Sequence, residues 1–98
     1  MIVVTSRIRV TVGADALADQ YRRRLRAADA FPGCLGVEIL RRVDAPAEFM
    51  VYTRWSSAEA YRAYRVAPAF REAHERVRDI PGGIRVERLE DVGEFEVL

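Results

Sequence analysis

The first strand of this chain limits its fold more than any other segment. Ile2, Val4, Ile8, Val10 and Val12 fall on one side, and Thr5, Arg7, Arg9 and Thr11 on the other. A period of two marks a half-buried β-strand, and its apolar side has to be covered by a second layer. Gly13 ends the alternation. Ser6 breaks it, sitting among the apolar residues on the side that should face the covering layer. Such a hydroxyl is either bonded to nearby backbone or aimed into a pocket between the layers.

Helical and strand periods then take turns. Ala14 to Ala28 places Leu17, Tyr21, Leu25 and Ala28 at helical spacing, with Arg22, Arg23, Arg24 and Arg26 mostly on the wet side. Phe31-Pro32-Gly33 stops that helix, since proline disfavours helix in the residue before it and glycine opens a turn. Cys34 to Val43 and Glu48 to Trp55 read as a hairpin around Asp44-Ala45-Pro46-Ala47. Ser56 or Ser57 caps the next helix, and Pro68 restarts the helical register. Pro81-Gly82-Gly83 is a loop, and Val86 to Leu98 is a final strand with a bend near Gly93. The order β-α-β-β-α-β is the ferredoxin-like α+β arrangement, and it accounts for residues 1–98 as one domain.

Such a sheet has helices on one face only. Its other face carries Val3, Met50 and Tyr52, opposite in direction to Phe49, Val51 and Trp55. An apolar patch on so small a domain calls for a partner, and a homodimer with two sheets packed together is the expectation.

Composition narrows the function. A net charge of +1 gives no nucleic-acid footprint. No run approaches the ~18 apolar residues of a membrane span, and the start lacks the layout of a signal peptide, so a cytoplasmic protein is expected. The single cysteine, Cys34, excludes an internal disulfide. All 16 basic residues are arginine; without lysine there is no Schiff-base or P-loop chemistry.

The sole histidine, His74, lies on an apolar helical stripe with Phe70, Ala73 and Val77. It either satisfies its ring nitrogens inside the protein or holds something there, as an iron ligand or as a base. No second histidine or cysteine is placed to complete a metal site made by protein alone. Tyr61 and Tyr64 lie one turn apart on the preceding helix, and Tyr64 is positioned to face the same cavity as His74. Trp55 reads as core.

Phe31-Pro32-Gly33 before a strand, Trp55-Ser56-Ser57 with Glu59-Ala60-Tyr61 after one, then Pro68-Ala69-Phe70 and Ala73-His74 resemble the antibiotic biosynthesis monooxygenase (ABM) domain family. The resemblance spans nearly the whole chain and implies a dimeric α+β barrel. Within the family, Ala69-Phe70-Arg71-Glu72-Ala73-His74 is most similar to the IsdG-like haem-degrading monooxygenases. That resemblance implies haem held between helix and sheet, with His74 as its iron ligand. In those enzymes an asparagine and a tryptophan complete the site; their positions fall here on Ser6 and Tyr64. The candidate site is therefore Ser6, Tyr64 and His74, with one of the three family residues kept. Serine reaches less far than asparagine, and tyrosine presses less on a macrocycle than tryptophan. Haem binding is thus better supported than haem degradation. A cofactor-independent oxygenase of quinol or anthrone substrates is the alternative, with the three residues positioning substrate and moving protons. A non-catalytic dimeric barrel is the third.

Overall fold

A computed structural model of the protein describes residues 1–23, 27–72 and 83–98. Strand β1 spans Ile2–Val12, helix α1 Ala14–Arg22, β2 Cys34–Arg41, β3 Glu48–Trp55, α2 Ala58–Arg65 and β4 Arg85–Glu96, with a 3-10 turn at Ala27–Ala30. Residues 68–72 are again helical. The four strands form one antiparallel sheet in the order β2-β3-β1-β4. This is the expected ferredoxin-like α+β fold.

Local chemistry accounts for the boundaries. Ser57 is the cap of α2: its hydroxyl accepts from the Ala60 amide at 3.2 Å. Gly33 turns the chain into β2 at φ +87°, and a Cβ there would stand 2.5 Å from that of Ala60, so glycine is required on both counts. The β2–β3 hairpin closes as the sequence pattern predicts, although β2 ends at Arg41 rather than Val43.

Helix α1 is shorter than its spacing predicts. It ends at Arg22, and Ala28 belongs to the 3-10 turn. Leu17, Tyr21 and Ala28 keep their helical spacing, but periodicity cannot tell one long helix from two helical pieces. The consequence is visible in the packing. Leu17 and Ala18 pack with Val10 and Phe49, joined by Ile8, Tyr21 and Ile39. Ala28 instead packs with Trp55 and Tyr64, joined by Ile2, Val4, Phe31, Val37 and Phe70. The side of the sheet that faces the helices therefore carries two described cores, one towards each end.

The last strand starts at Arg85 and ends at Glu96, shifted from the expected Val86 to Leu98. Its register slips by one residue between Thr5 and Ser6: Thr5 faces Gly93, whereas Ser6 faces Asp91. Gly93 adopts φ +151°, and the Phe95 ring lies 3.6 Å from where its Cβ would stand. The bend expected near Gly93 is thus a β-bulge, with an aromatic ring occupying the space that glycine leaves.

Candidate functional site

Ser6 is half-buried and faces the helices, as its place among Ile2, Val4, Ile8 and Val10 predicts. Its cross-strand neighbours are Val51 on β3 and Asp91 on β4. Directly paired residues of an antiparallel ladder share a face. Asp91, Ser6 and Val51 therefore form a row across the sheet, and none of the three belongs to either described core. The row lies between the Leu17 core and the Trp55 core. The bulge beside it is a feature found more often near functional sites.

Tyr64 lies inside the Trp55 core. It is 8% exposed, and its ring centroid stands 5.2 Å from Trp55, 5.3 Å from Phe31 and 5.2 Å from Phe70. Burial, reinforced by the neighbouring Cys34 and Tyr61, pushes its phenol up to about 12. At neutral pH it is a hydrogen-bond donor and not a base. Trp55 is core, as expected: it is fully buried, and its indole N–H donates to the Thr53 hydroxyl at 2.9 Å.

His74 lies outside the described residues, so of the three candidates the structure places Ser6 and Tyr64. It also adds groups that sequence reasoning did not single out. Arg65, the last residue of α2, donates from Nη1 to the Tyr61 hydroxyl at 2.9 Å. Its guanidinium stands 5.3 Å from the centroid of the Phe70 ring and 5.8 Å from that of Tyr61. The Tyr61 hydrogen bond raises the guanidinium pKa above its ordinary value, and the carboxylates Asp91 and Glu94 add to this. Asp91 pairs with Ser6 and Glu94 with Val4, which places both on the face that α2 covers. The signal available in sequence was the i, i+4 spacing of Tyr61 and Arg65; the bulge that brings Asp91 opposite Ser6 had none.

A concavity of about 260 Å³ lies between α1 and β2, lined by Tyr21, Arg22, Ile39, Arg41 and Phe49 with Ala18. Arg41 there is committed to the Pro46 carbonyl at 2.6 Å and to Asp15 at 2.7 Å. No group of three or more histidine, cysteine or carboxylate side chains stands together for a metal ion among the described residues. Nor is any described helix long and apolar enough to cross a membrane.

The frame is a ferredoxin-like α+β sheet with polar groups set between two cores. The antibiotic biosynthesis monooxygenase (ABM) family matches residues 1–76, and the chain belongs to that family. A heme-degrading monooxygenase of Bacillus thuringiensis is 32% identical over 85 residues, covering 83% of this chain and 78% of that protein. A mycobilin-producing heme oxygenase of Mycobacterium tuberculosis is 34% identical over 98 residues, covering 99% and 89%. Among solved structures, a variant of SnoaB, a cofactor-independent oxygenase from Streptomyces nogalater, superposes with a TM-score of 0.78 at 18% identity, covering 98% of this chain and 91% of that one. The last similarity concerns the fold.

Proposed function

We propose that the protein is a haem-binding monooxygenase of the ABM family, in which His74 ligates the iron and Ser6 and Tyr64 line the flanking walls. What carries this reading is the similarity to haem-degrading relatives over most of the chain, together with the presence of a single imidazole. The described residues suit such a ligand in part. Val4 and Val51 offer an apolar floor beside Ser6, and Arg65 offers one cation, whereas Asp91 and Glu94 resist a dianionic ligand on the same face. Haem, when bound, would supply the iron at which oxygen is activated. Ser6 would contribute a hydroxyl donor, and Tyr64 a protonated phenol that orients without removing protons.

One observation favours the second reading, a cofactor-independent oxygenase of a quinol-type substrate. The carboxylates of Asp91 and Glu94 share the face with Ser6, and they suit a neutral aromatic better than a dicarboxylate. We infer in either case that a second copy covers the outer face of the sheet, where Val3, Met50, Tyr52 and Phe95 stand.

Titration with haemin tests the first reading. A saturable Soret shift is expected for the wild type and not for His74→Ala, with far-ultraviolet circular dichroism unchanged. Identical spectra for the two proteins would remove His74 as the ligand. Oxygen uptake with a quinol, in a wild type that takes up no haemin, would establish the second reading.

A further inference from the structure

We propose that Arg65 is the anchor for an acidic substituent of the ligand, reaching from the end of α2 towards the row of Ser6 and Asp91. The proposal rests on the haem reading, in which the acidic groups are the propionates, and it names a residue for which the family resemblance supplies no role. Three observations carry it. The guanidinium is oriented, because the Tyr61 hydroxyl accepts from Nη1 at 2.9 Å and Phe70 lies 5.3 Å beneath it. An arginine stacked on rings and tethered at one nitrogen has less freedom to lose when its other donors meet a carboxylate.

The same guanidinium is unsaturated. Among the described residues, no carboxylate comes within ion-pair distance of Arg65, whereas Arg7, Arg9, Arg22, Arg41, Arg42 and Arg88 each have one. The side chain is exposed, so its remaining donors are open to a ligand. Finally, its location is right. Phe70 and Tyr61 belong with the Trp55 core, and Asp91 on the facing strand is the cross-strand neighbour of Ser6. Arg65 thus stands at the edge of the Trp55 core, near enough to Asp91 and Glu94 on the facing strand to feel their charge. Asp91 and Glu94 set the opposing field, so the site accepts a carboxylate at Arg65 and penalises one placed nearer β4.

The test compares haemin with haemin dimethyl ester, in which both propionates are capped, under the same detergent conditions. Wild type, Arg65→Gln, Arg65→Lys and Asp91→Asn are each titrated by Soret absorbance. Arg65→Gln is expected to weaken haemin about five- to tenfold and to leave the ester unchanged. Arg65→Lys, which keeps the charge but not the fork, should fall between. Asp91→Asn should tighten haemin and not the ester. Equal haemin affinity in wild type and Arg65→Gln, or an equal loss for both ligands, would overturn the anchor while haem binding stands. If the wild type binds neither ligand, the haem reading fails and the anchor fails with it.

Discussion

On the helix-facing side of the sheet Trp55 and Phe49 are 0% and 1% exposed; on the outer side Phe95 and Leu40 remain 50% and 42% exposed. The strands are the same and the residues differ only in parity, so the contrast comes from what each face meets. The inner face is closed by α1, α2 and the 3-10 turn, which place Leu17, Tyr64 and Ala28 on it. The outer face mixes Val3, Tyr52 and Met50 with charge: Met50 lies directly opposite Arg7, which reaches Glu48 at 3.6 Å and Glu90 at 3.7 Å, and Arg9 reaches Glu87 at 3.4 Å. Exposed ion pairs of this kind contribute little, roughly 0–1 kcal/mol each. Stability of the single chain therefore resides on the inner face. The inner face also carries a half-buried serine between its cores, and the outer side a buried threonine, Thr5.

The largest expected effect comes from breaking the closed face at its fully buried tryptophan. Trp55 contacts the rings of Phe31, Tyr61 and Tyr64 at centroid distances of 6.3, 5.6 and 5.2 Å. Trp55→Ala should cost about 3–5 kcal/mol, through lost transfer energy and a cavity that these rings cannot fill. Urea unfolding followed by far-ultraviolet circular dichroism measures it. A loss below about 1 kcal/mol would mean that the inner face is not where stability is concentrated.

Alkaline pH probes the same face more gently. Burial raises Tyr21 and Tyr64 from 10.0 to about 12. The folded state therefore keeps two phenolic protons that the unfolded chain releases above pH 10. Their contribution is fully present below that pH and declines as pH rises towards 12. Each tyrosine accounts for at most about 2–3 kcal/mol of that loss. Stability measured from pH 9 to pH 12 should fall most steeply across the upper part of this range, and Tyr21→Phe or Tyr64→Phe should flatten the fall. A profile unchanged by both substitutions would show that neither phenol is buried in solution.

The elements that define these faces were legible in sequence because each rests on local chemistry. The alternation of β1, the Asp44 to Ala47 turn, the Ser57 cap and the Gly33 turn all depend on neighbours within a few residues. Ser6 was legible too, as a break in a strict pattern. What escaped detection depends on distant partners. The bulge that seats Asp91 opposite Ser6 arises from pairing between strands at opposite ends of the chain. Beyond its spacing from Tyr61, Arg65 carries no signal of its own in sequence, because Phe70 meets it only in the folded chain. The division into two cores was hidden because α1 and the turn at Ala27–Ala30 share one helical spacing. The role of His74 falls outside the described residues and stands as a proposal.

Thr5 gives the smallest effect and the sharpest reading of the open face. Its parity puts it with Arg7 and Arg9, yet it is 5% exposed, because Gly93 lies opposite and the Phe95 ring folds over that glycine. Its hydroxyl is buried without a hydrogen-bond partner among the described residues. An unsatisfied buried hydroxyl is destabilising, and valine has nearly the same shape without it. Thr5→Val should therefore stabilise the fold by about 1 kcal/mol, while Thr5→Ser, which keeps the hydroxyl and loses a methyl, should not. The denaturation midpoint, measured at two protein concentrations alongside sedimentation equilibrium, distinguishes the alternatives. A gain that is independent of concentration means that the hydroxyl is unpaired in the protein as it exists in solution. A loss that shrinks as the protein is diluted means that a second copy supplies the missing partner, because only a group contributed across an interface disappears on dissociation.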